Sequence, residues 1–380
     1  MPPSDVLVVD RNLNLESGQV YGALRITASG ITVDGRGATI LGMQDADCRG
    51  LQGNGISASG VDGVVLANVM VRGFETGLRI EKGHDWRIEG CDFSDNFHDP
   101  DFGWGDNGRR GGIVLIEVTD SVLQNNRANR VWDACSLYGC EHIHLADNDF
   151  SHASNTCLRL WRSSGNLVER NNVSHGIRIS PGEVHARDSA GVLIEHASND
   201  NRFLYNDATY GGDGFFIRLL NSLPSSANYL EGNDASFANN NCFEAWAPDT
   251  TYVANRANHG SYGFWLGGST RTVLLENEAS YSGEPAGNHN APEPGLGHCG
   301  IVFTGAPSGA GVLRRNFCHH NNGAGIAIRG QPDAPASHWS LEANRLEHNR
   351  VGIVLEAASG TDLNDNQFGD NPEGDVVERA

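Results

Sequence analysis

The sequence predicts an all-β fold: one right-handed parallel β-helix, a solenoid of about a dozen coils. Three observations predict it. A small residue followed by an apolar one recurs, at shortest spacings of 21 to 23 residues. An asparagine follows in fixed register in ten of the repeats. After each anchor, apolar residues alternate with others at the period of two that marks a strand.

The anchors run from Gly55-Ile56 and Gly77-Leu78 through Cys157-Leu158, Gly214-Phe215 and Cys242-Phe243 to Gly352-Ile353. The asparagines are Asn126, Asn148, Asn171, Asn206, Asn233, Asn255, Asn277, Asn316, Asn344 and Asn366. Asn tolerates bends and bonds backbone with its side chain. Stacked on successive coils, such amides bond one another along the axis, so this register predicts a structural ladder at a bend. Four residues further on comes a column of flat rings: His152, His175, Tyr210, Phe237, His259, Tyr281, His320 and His348. Its histidines suggest metal less well than a bend position that accepts rings.

In a solenoid each repeat buries its core against its neighbours, so the 380 residues read as a single domain over residues 20–368. Residues 1–19 are the expected cap and 369–380 an acidic tail. The 39% hydrophobic and 19% charged composition, with 48 Gly and 13 Pro, suits a folded, turn-rich β protein. A formal net charge of -20 argues against nucleic acid and anionic membranes as partners. No apolar run reaches the length of a membrane span. The start, Met-Pro-Pro-Ser-Asp-Val, lacks a basic and apolar leader. The expected compartment is cytoplasmic, or periplasmic or secreted if a signal peptide has been removed. The expected state is a monomer or small homo-oligomer. Eight cysteines, several on repeat positions of non-adjacent coils, read as small buried thiols, with no disulfide framework expected.

The stretch Ile31-Thr-Val-Asp-Gly-Arg-Gly-Ala-Thr-Ile40 resembles the first coil of NosD-type and pectin-lyase-like β-helix proteins. The recurring phrase of Asn, any residue and an apolar one, followed by Gly-Ile, resembles their parallel β-helix repeats. The resemblance covers roughly residues 20–368. It implies polysaccharide lyases, uronate C5-epimerases and glycoside hydrolases, together with binding and structural members. The phrase His98-Asp99-Pro100-Asp101 is similar in composition to the Asp-Pro-His motif of mannuronan C5-epimerases, but its histidine stands on the other side. The paired-Asp and Gly-His-Gly motifs of polygalacturonases are missing.

Three repeats are stretched, placing insertions at about 94–110, 176–189 and 282–298. All leave the same corner of the coil, so they should rise on one side, where per-repeat insertions often form a binding face. Residues two and four places after each anchor should point outward. The first outward column reads Arg159, Leu193, Phe216, Glu244 and Trp265; the second reads Tyr138, Trp161, Glu195, Arg218 and Trp246. Aromatics interleaved with Arg and Glu on an outer face suggest a ligand groove. The competing reading is that the insertions fold over these aromatics to make a second small core.

The expected ligand is a poly- or oligosaccharide. Trp161, Phe216, Trp246, Trp265, Tyr138 and Trp104 would stack on sugar rings, with Arg159 and Arg187 bonding hydroxyls or a carboxylate. Glu244 and Glu195 are the expected catalytic carboxylates, with Arg218 between them; Asp213 and Glu183 stand in reserve. Asp99, Asp101 and Asp188 would reach in from the insertions. Hydrolysis is favoured. The alternative is elimination or C5-epimerisation of a uronate, with His185 as base; the second alternative is a non-catalytic glycan-binding solenoid. No cofactor is required on this reading. Asp99, Asp101 and Asp106 are weak candidates for a calcium site.

Overall fold

In a computed structural model, residues 6–44, 48–99, 101, 108–305 and 307–379 are described. The chain winds as a parallel β-solenoid with three faces, and no helix occurs among the described residues. The first sheet has fifteen strands, from Leu7–Val9 through Asp213–Arg218 to Val376–Arg379; the second has fourteen, from Leu13–Asn14 to Asp362–Asn364. Short strands at both ends make the third face, joined by single bridges at Asp92, Arg127, Asp149, Asn172, Asp207 and Asp234. Every pairing between strands of the three faces is parallel. The twelve anchors account for twelve strands of the first sheet. Three more lack the repeat phrase: Leu7–Val9, Leu24–Ile26 and Val376–Arg379.

One continuous apolar column fills the solenoid. Its inward side chains follow the period of two, such as Leu158 and Leu160, or Phe215 and Ile217. Neighbouring coils put like rings face to face: Phe215, Phe243 and Phe264 stack with centroids 5.2 and 4.7 Å apart. Gly112 shows why the anchor is small: a Cβ there would lie 2.7 Å from the Ala128 methyl on the third face. All eight cysteines are free, and burial pushes the thiols of Cys91, Cys140, Cys157 and Cys299 up to about 12.

The asparagine ladder forms along its whole length. Each Nδ2 donates to the Oδ1 of the next rung at 2.8–3.1 Å, from Asn126 to Asn366. The same Oδ1 accepts the backbone N–H of the previous asparagine, as from Asn206 to Asn233 at 2.9 Å. The second Nδ2 hydrogen caps a carbonyl of an earlier coil, as from Asn233 to Phe203 at 3.0 Å. One side chain thus satisfies the corner's backbone donor and acceptor at once. A second, shorter ladder runs through Asn166, Asn201 and Asn228 at 2.8 and 3.0 Å. Ile143 stands at the adjoining rung, its N–H donating to Asn166 Oδ1 at 2.8 Å, and Ser121 at the rung beyond, its Oγ accepting the Trp86 N–H, which hides the period in the sequence.

The ring column stacks over all eight members. Centroids are 4.4–5.1 Å apart, with planes within 5° between His152 and His175 and within 2° between His259 and Tyr281. Each sits at a φ of +55° to +63°, a left-handed bend that costs a non-glycine residue roughly 1 kcal/mol. The stacking offsets that cost at about 0.5–1.5 kcal/mol per pair.

A break inside the ladder should cost more than one at its end. Asn233→Ala strands the Asn206 backbone N–H and the Phe203 carbonyl, and should lower unfolding stability by at least about 2 kcal/mol. Asn366→Ala, on a half-exposed rung, should cost under about 1 kcal/mol. Urea unfolding of the two variants checks the difference; equal small losses would remove the ladder from its structural role.

Candidate functional site

The first sheet's outer face carries the groove, and the register sets its columns in the predicted order. Ser136, Arg159, Leu193, Phe216, Glu244 and Trp265 are successive partners. So are Tyr138, Trp161, Glu195 and Arg218. A third column, at the corner before the anchors, holds Asp133, Thr156, Ala190 and Asp213.

All three insertions reach this face. Arg109 of the first lies 4.3 Å from the Tyr138 ring centroid, in a cleft of about 230 Å³ lined also by Arg159 and Trp161. Asp188 of the second lies 4.0 Å from Arg218. Leu296 of the third packs on the outward residues of the later strands. His185 and His289, from the second and third insertions, are near enough that one disfavours protonation of the other. Trp104 and Asp106 lie outside the described residues.

Glu195 is a correction. Its carboxylate is wholly buried and shared by two cations: Arg159 reaches Oε2 at 2.9 Å, and Arg218 bonds Oε1. Both oxygens face guanidinium groups, a closed setting unlike the open groove carboxylate expected beside Glu244. Arg218 binds Glu195 and faces Asp188 rather than bridging two glutamates.

The carboxyls that do gather are Glu244, Asp213 and Asp188. Glu244 Oε2 accepts from Asn241 Nδ2 at 2.7 Å and Oε1 from Trp246 Nε1 at 2.9 Å. Burial raises its carboxyl above the usual range; those two bonds pull it back, and the Asp188 charge pushes it up again. Asp213 is buried and accepts the Asn241 backbone N–H at 3.0 Å. Burial, then the charge on Glu244, push it well above its ordinary value. Asp188 is raised as well, by desolvation at the groove rim, against the pull of Arg218 and Arg178. Like charges in a low-dielectric site oppose one another's ionisation, and all three carboxyls are pushed above their ordinary values.

Arg178 and Asp133 support it from behind. Arg178 is buried, lies 5.1 Å from the Trp132 ring centroid and donates to Asn155 Oδ1 at 3.0 Å; Asn155 in turn donates to Asp133 at 2.7 Å. Another Arg178 bond, to the Arg187 carbonyl at 3.1 Å, shapes the second insertion. That insertion forms one side of a cleft of about 700 Å³ lined by Gly182–Asp188, with His185 exposed in it. Glu183 pairs with Arg187 on the insertion's exposed surface, and the guanidinium lowers its carboxyl. The pair ties Glu183 and Arg187 to one another within the insertion.

The aromatics divide. Trp161 stacks on His196 at 4.5 Å and edges the cleft beside Arg159. Trp246 lies against Gly267, where a Cβ would come within 2.2 Å of its ring. Trp265 is half-buried, with its ring centroid 4.6 Å from that of Tyr262. Phe216 is a second correction: it is buried with Ala190 and Leu193 under Trp246, so it is floor packing rather than an open stacking face. Tyr138 too is buried, under Arg109 and near Arg159. Asp99 and Asp101, two of the weak calcium candidates, both pair with Arg49. Sequence reasoning missed Asn241, which bonds both Asp213 and Glu244; no period or motif marks it.

Residues 11–173 match the family model of the right handed beta helix region, and residues 217–377 match that of the periplasmic copper-binding protein NosD. No curated protein matches the sequence. Among solved structures, a point mutant of the periplasmic alginate epimerase AlgG aligns at TM-score 0.56 and 11% identity, over 96% of this chain and 85% of that one. A second AlgG mutant gives 0.50 at 11% identity over 96% and 85%. The catalytic unit of a GH87 α-1,3-glucanase from Streptomyces thermodiastaticus gives 0.41 at 11% identity, over 97% and 61%. These identities express likeness of fold. Copper, in the second family's name, needs converging imidazole or thiolate ligands. Among the described residues no three His, Cys, Asp or Glu side chains converge on a metal position. The cysteines of the matched region, Cys242, Cys299 and Cys318, are kept as thiols by burial, so these residues do not fit that metal. Matched models along the chain and a stack of parallel coils agree on the architecture: the protein is built of right-handed parallel β-helix repeats.

Proposed function

We propose that the protein is a carbohydrate-active enzyme that hydrolyses a poly- or oligosaccharide in the groove on the first sheet. The observation that carries this reading is the pair Asp213 and Glu244, joined through Asn241, whose backbone N–H donates to Asp213 and whose side-chain amide donates to Glu244; both carboxyls are raised, Asp213 in part by the charge on Glu244. A glycoside hydrolase needs one carboxyl that holds a proton and one that is ionised. The protonated member gives its proton to the glycosidic oxygen as the C–O bond breaks. The ionised member, with Asp188 as the neighbouring carboxylate, directs water to the anomeric carbon and takes its proton. Water is consumed and two chain ends result. Trp246 and Trp265 flank the pair and present flat faces for sugar rings, and Trp161 edges the cleft on the other side.

The second reading is elimination or C5-epimerisation of a uronate. The cleft lined by Arg109, Arg159 and Tyr138 favours it, as a place for a sugar carboxylate, with His185 as base. Against it, Glu195 already neutralises Arg159. A polysaccharide panel separates the readings: hydrolysis yields reducing ends alone, and elimination adds the absorbance of unsaturated uronates. Saturable binding with no product from any glycan would leave a binding solenoid.

Three variants test the assignment of roles. Glu244→Gln and Asp213→Asn should each lower turnover by about 10²–10⁴-fold with unchanged folding, as removal of a general acid–base group does. Full activity in both would end the proposal. Glu195→Gln should act on stability instead. It leaves the buried Arg159 and the half-buried Arg218 without their shared carboxylate, at about 3–5 kcal/mol, read by chemical denaturation.

Asp213 also predicts a pH effect. Its folded-state pKa lies above the unfolded one, so its contribution is favourable below about pH 4 and is lost as pH rises through the folded value. Asp213→Asn should therefore melt at a higher temperature than the parent at pH 7. The gain should shrink as pH falls toward 4. A constant offset between the two proteins would refute it.

A further inference from the structure

Among the described residues the groove is shut along the solenoid axis in one direction and continues in the other. Beyond Glu244 its column continues as Trp265, Val302, Ala327 and Val354. Val302, Ala327 and Val354 point away from the solenoid interior, yet they are buried. Leu296 of the third insertion covers them, in a second core shared with Tyr262 and Val351.

This cover is tied down along its length. Tyr262 Oη donates to the Ala291 carbonyl at 2.9 Å. Arg329 pairs with Glu293 and donates to the Pro294 carbonyl at 2.7 Å. Arg350 and Arg379 converge on the Gly295 carbonyl at 2.9 and 3.0 Å. A segment with a buried apolar side chain and this many anchors is a fixed plug, not a lid.

The plug stands close to the carboxyls. Glu244 and Val302 are two strand spacings apart, roughly 10 Å, with Trp265 between them. In the opposite direction the floor continues over Phe216 and Leu193 to the cleft at Arg159 and Trp161.

We infer that the site takes the end of a glycan chain: the terminal sugars lie over Trp246 and Trp265 against the plug, and the rest of the chain runs toward Trp161. The inference rests on the glycan-groove reading above and adds to it the mode of attack. A short saccharide of fixed length leaves at each turnover, whichever bond chemistry releases it.

The experiment uses the full chain and the glycan identified by the panel, as intact polymer and as an end-labelled oligosaccharide series. Chain-end attack gives one short product from the first turnover, and polymer viscosity falls slowly while new ends accumulate. Mixed product lengths at early times overturn this inference and leave the glycan reading standing. No product from any glycan overturns that reading, and this one with it. Leu296→Gly should open the plug and raise viscosity loss per bond broken severalfold. Glu293→Gln, a milder change that removes one of the plug's ion pairs, guards against a folding failure and should shift the product pattern the same way. Folded variants that both keep the single short product refute the plug.

Discussion

A corner in a buried backbone is the constraint on which this structure depends. Wherever the chain turns from the second face to the third, an N–H and a C=O lose their strand partners, and no water reaches them. The asparagine ladder answers both with one side chain per coil. Leaving such groups unmade costs about 1–3 kcal/mol apiece, so the corner can recur in coil after coil only if its amide recurs too. The ring stack does similar service at the next bend, offsetting a left-handed φ with face-to-face contact. Long-range order along the axis thus comes from short-range repetition, the usual economy of a solenoid.

Much of this was legible in the sequence because repetition makes weak signals add. Ten asparagines in register identify a bend that a single one would not. Periods of two after each anchor named the inward residues and the outward columns alike. The end strands, Leu7–Val9 and Val376–Arg379, were invisible because they lack the asparagine and the anchor. The second ladder, Asn166–Asn201–Asn228, was hidden because it spans only three coils, with Ile143 and then Ser121 at the rungs before it.

The site was less legible, for a different reason. Column arithmetic brought Glu195 and Arg218 together correctly, but it carries no information on which side chains exhaust one another. Arg159 and Arg218 take up both oxygens of Glu195, a pairing that column arithmetic could not foresee. Asp213 sits in the corner column, off the strand's outward period, so its approach to Glu244 depends on Asn241 and on the bend itself. Phe216 illustrates the same limit: outward-pointing is not exposed when a neighbouring Trp246 lies across it. The groove is therefore a place where local rules are broken, with buried carboxyls whose cost is carried by the surrounding coils.

The ladder has one more property. Its contacts are indifferent to how much chain lies between rungs: Asn148 and Asn171 are 23 residues apart, Asn171 and Asn206 are 35, and Asn277 and Asn316 are 39, yet each pair bonds at 2.8–3.1 Å. Insertions leave the coil after one rung and return before the next strand, so they never enter the bonded register. Heritable change in loop length or content is thereby uncoupled from the scaffold. Lineages sharing these coils can exchange one loop for another and so alter what the groove admits, while the spine beneath is inherited intact.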